Sequence, residues 1–313
     1  MRQVQHTAIL GSGVIGASWA ALFLAAGRSV CVYDPDPAAE ANVRDYVTRA
    51  WPTLEALDLT ARGNPDQVTL ASSAAAAVDS ADFIQENVPE RLPVKHATFA
   101  EIEPVLDAAA IVASSASGLT LTQMQAGWQN PHNFILGHPF NPPHLIPLVE
   151  IVANAKTAPD VADRADAFYA DVGKVTIRVK KELPGHVANR LQAAIWREVL
   201  HLVQSGAASV GDVDKAIWAG PGLRWAAMGP TMLFHLGAGP GGLAAFCDHF
   251  GDTFNGWWEG LGTPVLDQQA TELLVAGVTA ETAGKSTEQL AAERDALIVA
   301  MQRAMGPLRD KSD

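Results

Sequence analysis

A histidine and a glutamate twelve residues apart are the side chains of this sequence best suited to proton transfer. His138 follows an apolar run at residues 134–136 that predicts a buried strand, and Glu150 lies within the apolar run 148–152. A buried carboxylate needs a partner because desolvating a lone charge is costly, and His138 is the obvious candidate. A histidine held in one tautomer by a carboxylate can act as a general base near neutral pH. Alternatively, His138 is a hydrogen-bonded loop histidine and Glu150 an edge-strand charge, and these two residues alone do not decide between the interpretations.

Four prolines stiffen the segment that contains the histidine. Pro139, Pro142, Pro143 and Pro147 each fix their backbone φ angle and lack an N–H donor. They predict that the segment, with His138 on it, is neither a regular helix nor a central strand. We therefore expect a rigid loop that holds the imidazole still.

A glycine-rich turn near the start of the sequence predicts a dinucleotide site. An apolar run at residues 6–10 leads into Gly11-Ser12-Gly13-Val14-Ile15-Gly16, and an Ala-rich helical pattern follows to residue 26. This order is typical of the first strand, turn and helix of a βαβ unit that binds NAD. Gly11 allows the tight turn, Gly13 lets the backbone approach a pyrophosphate, and Gly16 lets the helix pack against the strand. Val14 and Ile15 lie at the helix N-terminus, where free N–H groups and the helix dipole favour phosphate.

Asp34 favours NAD over NADP as the cofactor. It ends the second predicted strand, eighteen residues after Gly16. A carboxylate there hydrogen-bonds the adenosine ribose hydroxyls and would repel a 2′-phosphate. The next three residues contain no arginine that could accept such a phosphate.

Further polar residues follow other predicted strands. Glu90, Lys95, Ser117 and His138 each lie just past a strand, and ligands of open α/β sheets gather at the carboxyl ends of strands. Each residue alone is interpretable as surface or capping chemistry. Together they predict a site on one edge of the sheet.

The clearest boundary in the chain is the Pro184-Gly185 turn. We predict an α/β dinucleotide-binding domain at residues 1–184 and an all-helical domain at residues 185–313. Asn189 opens the first helix of the second domain and shares a face with Trp196. Its amide either reaches an active site or caps the helix backbone.

Composition excludes several classes of function. The 313 residues carry a formal net charge of −12 and no basic run, so neither nucleic acid nor an anionic membrane is an expected partner. No apolar run approaches the roughly 20 residues that span a bilayer. Only two cysteines are present, far apart, and there is no signal-peptide layout, so we expect a cytoplasmic protein. We predict no metal site.

These motifs resemble, in order and spacing, the 3-hydroxyacyl-CoA dehydrogenase superfamily over almost the whole chain. The resemblance implies a Rossmann-like NAD-binding domain followed by a helical domain that usually forms a homodimer. It implies that His138 is the base and Glu150 its orienting partner. It further implies that Ser117 and Asn189 bind the substrate oxygen and that three residues lie near the nicotinamide ribose, namely Glu90, Lys95 and Asn141.

Within the superfamily, the sequence departs from the acyl-CoA members. Those tend to be lysine-rich after the second strand, where CoA phosphates lie, whereas here no lysine precedes Lys95. The sequence resembles instead the branch that acts on small free hydroxy acids, with L-gulonate 3-dehydrogenase (lambda-crystallin) and L-carnitine dehydrogenase. Residues 222–226 and 196–198 look most like the carnitine type, and residues 141–150 look more like the gulonate type.

Three residues of the helical half are candidates for binding the substrate. Arg224 could pair bidentately with a carboxylate, or it could form a surface or dimer salt bridge. Trp196 and Trp225 could face a quaternary ammonium, or they could be core or interface residues.

The sequence thus predicts an NAD-dependent dehydrogenase that oxidises the 3-hydroxyl of a small L-3-hydroxy acid to the 3-keto acid. Three alternatives stay open: an L-3-hydroxyacyl-CoA dehydrogenase, an enzyme of the 3-hydroxyisobutyrate type with a catalytic lysine, and a crystallin-like structural protein.

Overall fold

A computed structural model describes residues 4–309 of the chain, and within this range eight strands form one sheet. Their order is β3-β2-β1-β4-β5-β6-β7-β8. Strands β1 to β6 are parallel, whereas β7 runs antiparallel to β6 and parallel to β8. The order reverses between β1 and β4, which is where open α/β sheets bind ligands. The strands are β1 His6–Leu10, β2 Ser29–Tyr33, β3 Val68–Leu70, β4 Phe83–Glu86, β5 Ile111–Ser114, β6 Phe134–Pro139, β7 Leu148–Val152 and β8 Val175–Val179.

The strands are apolar because helices cover both faces of the sheet. Along β1, Ile9 packs into one core while Ala8 and Leu10 pack into the other, as the alternation of side chains requires. Helices α1, α2 and α6 contribute to the first core, and α3, α4 and α5 contribute to the second. The predicted Rossmann-like architecture is therefore confirmed. The helices are α1 Val14–Ala25, α2 Ala39–Ala56, α3 Ala74–Val78, α4 Leu92–Ile102, α5 Leu121–Gln125 and α6 Val161–Asp171.

The expectation that His138 lies on a loop is wrong. His138 is the fifth residue of β6, between β5 and β7, and it is directly paired with Glu150 of β7. Pro139 is tolerated because it is the last residue of the strand: it is paired with Val149 of β7 but lies beyond Leu136, the last residue of β6 that pairs with β5. The other three prolines lie in the connection between β6 and β7.

After β8 the described chain contains helices and no strand, which confirms the predicted helical second half. Two helices of this half begin at sequence signals other than apolar spacing. α9 begins with a proline at its first position, and the side chain of Asp267 caps α12 by accepting the Ala270 N–H at 2.8 Å. The helices are α7 Ala188–Gln204, α8 Val210–Ala219, α9 Pro221–Ala227, α10 Pro230–Gly237, α11 Gly242–Gly260, α12 Gln268–Thr282 and α13 Thr287–Arg309.

Contacts divide the chain into two compact units. The α/β unit comprises the residues up to Asn189 together with Asp295–Ala304, and the helical unit comprises Arg190–Arg294 with the residues from Met305. The predicted domains at residues 1–184 and 185–313 stay a prediction. Residues 1–3 and 310–313 of those ranges lie outside the described residues.

The helical unit has a small core of its own. Four valines form it, Val199, Val203, Val210 and Val213. Many large apolar side chains of this unit are exposed instead. Six are exposed by 60% or more: Leu191, Trp218, Leu223, Trp257, Trp258 and Val265.

Candidate active site

The glycine-rich turn lies where the strand order reverses, between the ends of β1 and β4. Gly11 has a φ of +84°, and a Cβ added to it would lie 2.7 Å from the carbonyl oxygen of Asn87. A Cβ on Gly16 would collide with the carbonyl of Gly11. By contrast, a Cβ on Gly13 would meet nothing within 4 Å. Gly11 and Gly16 are thus required for packing, whereas Gly13 leaves open space beside the turn.

The residues around this turn fit a dinucleotide. Gly13 caps α1 without any side-chain hydrogen bond, and the first turn of α1 carries no acidic residue. The N–H groups and positive dipole end of the helix therefore favour phosphate. Val14, at the same helix end, is 61% exposed, and Ile15 is partly buried.

Asp34 is held in place at the end of β2. Its Oδ2 accepts the N–H of Ser12, within the glycine-rich turn, at 2.6 Å, and its Oδ1 accepts the N–H of Asp36 at 2.9 Å. The carboxylate is partly exposed beside the turn. This position suits a residue that binds the adenosine ribose.

His138 and Glu150 form a buried hydrogen-bonded pair. The Nδ1 of His138 lies 2.8 Å from the Oε2 of Glu150. Because a carboxylate only accepts, Nδ1 carries the proton of the neutral ring, and Nε2 is left with a lone pair. Among the described residues, Nε2 has no hydrogen-bond partner. The imidazole can therefore take up a proton at Nε2.

Glu150 also binds the start of α7. Its Oε1 accepts the backbone N–H groups of Val187 at 2.9 Å and Ala188 at 3.0 Å. Burial by itself raises the pKa of Glu150, but the hydrogen bonds from His138, Ala188 and Val187 and the charge of His138 lower that pKa overall. The carboxylate thus stays ionised at neutral pH and can stabilise an imidazolium on His138.

Ser117 lies on the loop after β5 and is bonded to Glu90. Its hydroxyl donates to Oε2 of Glu90 at 3.0 Å, while Oε1 of Glu90 accepts the N–H of Leu119 at 3.0 Å and the N–H of Gly118. Burial alone raises the pKa of Glu90, but these hydrogen bonds and the charge of Lys95 lower it. Glu90 is therefore an ionised anchor of the Ser117 loop, and its contact with the nicotinamide ribose stays a prediction.

Lys95 lies in α4 and is buried beside the end of β4. Its Nζ is 2.6 Å from Oε1 of Glu86 and 3.2 Å from the carbonyl oxygen of Val88, and Lys95 and Glu86 are both fully buried. The hydroxyl of Ser114 donates to the second oxygen of Glu86 at 2.6 Å. The ammonium is thus bonded to protein groups, and its predicted contact with NAD stays a prediction. The same holds for Asn141, which is exposed in the connection between β6 and β7.

The turn before α7 joins the Ser117 loop to the base. Gly185 N–H donates to the carbonyl of Ser117 at 3.1 Å, and His186 is bonded through Nε2 to the carbonyl of Ala116 at 3.0 Å. The ring of His186 lies 5.0 Å from the ring of His138, centroid to centroid. Asn189 is in the first turn of α7, one residue after the Ala188 that binds Glu150. Ser117, His138 and Glu150 are thereby linked within the α/β unit, and Asn189 follows this link in the chain.

The sequence did not identify His186 as a residue of the site. The available signal was a histidine placed directly after the Pro184-Gly185 turn, but nothing in the sequence indicated that it is buried against the base.

The three substrate candidates lie in the helical unit. Trp196 is on α7 and 47% exposed, whereas Trp225, 37% exposed, is on α9 with the exposed Arg224. Within the described residues, Arg224 makes no ion pair. Its guanidinium and the two indoles are therefore available to a ligand or another chain.

The nucleotide-binding fold and its glycine-rich turn define the class of the protein, an NAD-dependent oxidoreductase. Residues 6–183 match the model of the 3-hydroxyacyl-CoA dehydrogenase NAD binding domain, and residues 185–283 match that of the 3-hydroxyacyl-CoA dehydrogenase C-terminal domain. The chain therefore belongs to the 3-hydroxyacyl-CoA dehydrogenase family, and NAD is its cofactor.

Similar proteins cover almost the whole chain. The L-carnitine dehydrogenase of Streptomyces griseus is 44% identical over 305 residues, which are 97% of this chain and 91% of that protein. The L-carnitine dehydrogenase of Streptomyces coelicolor is 44% identical over 310 residues, 99% of this chain and 98% of that protein. The solved structure of FHMPC 5-dehydrogenase, an NAD+-dependent dismutase, has a TM-score of 0.83 at 29% identity and covers 97% of this chain and 99% of its own. The resemblance found in the sequence is confirmed.

Proposed function

We propose that this enzyme oxidises the 3-hydroxyl of a small free L-3-hydroxy acid to the 3-keto acid, and that L-carnitine is its substrate. The observation that carries the proposal is the buried pair of His138 and Glu150, 2.8 Å apart, in which Nε2 of the histidine has no hydrogen-bond partner among residues 4–309. Relatives named L-carnitine dehydrogenase, 44% identical over nearly the whole chain, support the choice of substrate.

When bound, NAD supplies the acceptor for the hydride that leaves the substrate carbon. His138 takes the hydroxyl proton on Nε2 and becomes an imidazolium, while Glu150 holds Nδ1–H and stabilises the new charge. Ser117 and Asn189 bind the substrate oxygen. In the reverse direction the imidazolium returns the proton to the forming hydroxyl. A positioned base of this kind contributes about 10²–10⁴-fold to the rate.

The substrate candidates match the two charged ends of carnitine, which carries a carboxylate and a quaternary ammonium on either side of its hydroxyl. Arg224 binds the carboxylate, since guanidinium pairs bidentately with such groups. Trp196 and Trp225 face the ammonium through cation–π contacts.

A CoA thioester is the second candidate substrate, because the family models are those of 3-hydroxyacyl-CoA dehydrogenases. The net charge of −12 and the absence of lysine before Lys95 disfavour a polyanionic ligand of this size.

The enzyme acts as a homodimer formed through its helical unit. The exposed apolar side chains of that unit support this assembly, since patches of this kind mark interaction surfaces. No helix of the described residues is long and apolar enough to cross a membrane. The free cysteines Cys31 and Cys247 support a reducing compartment, and we place the enzyme in the cytoplasm.

A substrate screen tests the proposal. Purified protein with NAD is given L-carnitine, D-carnitine, L-gulonate or 3-hydroxybutyrate, and NADH formation is followed by absorbance. We expect L-carnitine to give the highest kcat/KM and its D enantiomer to be inactive. Failure of every free acid to reduce NAD would refute the proposal.

A further inference from the structure

His186 occupies the turn between the Ser117 loop and α7, and it is 1% exposed. Its φ is +49°, in the left-handed region that non-glycine residues rarely adopt. Its ring is tilted by 51° to the ring of His138, with 5.0 Å between the centroids. His186 is therefore in direct contact with the proposed base.

Two features of His186 oppose stability. The backbone strain of a left-handed φ would be relieved by glycine or asparagine. The second feature is its Nδ1, which is buried and has no hydrogen-bond partner in the described structure. An apolar ring of similar size would remove that unpaired nitrogen. Glycine would adopt this φ more readily and an apolar ring would leave no unpaired nitrogen, so what the histidine side chain supplies beyond either is the hydrogen bond of its other nitrogen.

The remaining nitrogen of His186 does make a bond. Nε2 lies 3.0 Å from the carbonyl oxygen of Ala116. A carbonyl only accepts, so Nε2 carries the proton and donates it. Through this bond the side chain of His186 holds the residue immediately before Ser117.

The backbone on either side of His186 is bonded to the same machinery. Before it, Gly185 N–H donates to the carbonyl of Ser117 at 3.1 Å. After it, the N–H groups of Val187 and Ala188 donate to Glu150. One residue thus connects the Ser117 loop, the partner of the base and, by ring contact, the base itself.

We propose that His186 is a positioning residue for hydride transfer, and that its hydrogen bond to Ala116 holds Ser117 and His138 at the separation the reaction needs. This inference rests on the proposed role of His138 as the base. Loss of the bond would loosen that separation, and displacements of about 1 Å in an active site can lower rates by roughly a hundredfold.

Three substitutions separate the side-chain bond from the backbone conformation. His186→Gln keeps an amide N–H at about the reach of Nε2. His186→Asn tolerates a left-handed φ but is too short to reach Ala116. His186→Phe keeps a ring and removes both nitrogens. The exposed surface histidine His132, changed to alanine, is the matched control.

Steady-state kinetics with L-carnitine and NAD give kcat and KM, and quenching of tryptophan fluorescence gives the Kd of NAD. We expect His186→Phe and His186→Asn to lower kcat by about tenfold to a hundredfold, in the range for a misplaced active-site group. The Kd of NAD should stay unchanged, and His186→Gln should recover most of kcat. His132→Ala should match the wild type.

Several outcomes would overturn the proposal. Wild-type kcat in His186→Phe means that the bond is dispensable, and wild-type kcat in His186→Asn with loss in His186→Gln means that only the backbone conformation matters. A parallel loss of kcat, NAD binding and thermal stability in all three variants means a purely structural role. If the wild type oxidises no free acid, the proposed substrate is wrong, but the role of His186 can still be tested. The same variants are then compared with L-3-hydroxybutyryl-CoA as substrate, because the inference concerns the base and not the identity of the acid.

Discussion

The α/β unit and the helical unit differ in how completely each buries its own apolar side chains. In the first, Trp19, Phe23 and Phe83 are fully buried, and large cores cover both faces of the sheet. In the second, four valines form the core, while Trp257 and Trp258 are 60% and 62% exposed.

This difference separates two tasks. Ser117, His138, Glu150 and Asn189 all belong to the α/β unit, so the proposed chemistry needs residues of that unit alone. The apolar surface of the helical unit is of the kind that subunit interfaces cover. We infer that the α/β unit carries out the reaction and that the helical unit provides assembly and substrate selection.

The largest expected effect is the loss of the base. His138→Ala removes the only group proposed to take the hydroxyl proton, and we expect kcat/KM for L-carnitine to fall about a hundredfold or more. NAD binding should be unchanged, because the glycine-rich turn is untouched. Steady-state kinetics beside His132→Ala check this, and retention of most activity would favour an enzyme with a catalytic lysine.

The second effect concerns the charge that supports the base. Glu150→Gln keeps the size of the side chain but removes the carboxylate, so the imidazolium loses its partner, and we expect kcat to fall by about tenfold to a hundredfold. A variant as active as the wild type would mean that Glu150 has no electrostatic role.

Glu150→Gln should also change how the free energy of unfolding depends on pH. Because the pKa of Glu150 is lowered in the folded state, its carboxylate stabilises the fold at pH values above the ordinary pKa of glutamate. This contribution to the free energy of unfolding is lost as the pH falls through the folded-state pKa. Urea denaturation at neutral and acid pH should show the free energies of unfolding of wild type and variant converging in acid.

The third effect concerns the helical unit. Trp258→Glu places a charge on its exposed apolar surface, and we expect it to weaken the proposed homodimer so that a monomer appears in sedimentation velocity. Val105→Glu is the control, since Val105 is an exposed apolar residue of the α/β unit. A wild type that is monomeric at all concentrations would contradict the inference that the helical unit provides assembly.

The last effect, on stability and not on activity, concerns Lys174, a buried lysine that contacts the connection between β6 and β7. Nζ of Lys174 donates to the carbonyls of Pro143 and Ile146, and burial lowers its pKa to about 7. Since the unfolded chain binds this proton more tightly, the free energy of unfolding should rise from about pH 7 toward pH 10. Lys174→Met should lack that rise in urea denaturation, and an equal rise in both proteins would exclude Lys174 as its source.

Local patterns predicted much of this molecule. The glycine-rich turn, Asp34 and the pairing of His138 with Glu150 each depend on residues close in sequence, or on strand ends that one topology brings together. The strand position of His138 was mispredicted because prolines argue against a strand, and only its pairing with β7 places it in one.

Other features could not be read from neighbouring residues. The burial of His186 depends on three segments, around Ala116, His138 and Gly185, that are distant in the chain. The ion pair of Lys95 with Glu86 likewise depends on how α4 packs after β4. Such contacts are set by tertiary packing and carry no periodic signal.

The most direct test of the account compares two substrates on one preparation of the wild-type protein. NADH formation is measured with L-carnitine and with L-3-hydroxybutyryl-CoA, and kcat/KM is determined for each. We expect a higher kcat/KM for the free acid. Efficient oxidation of the CoA thioester without any activity on free L-carnitine would contradict it.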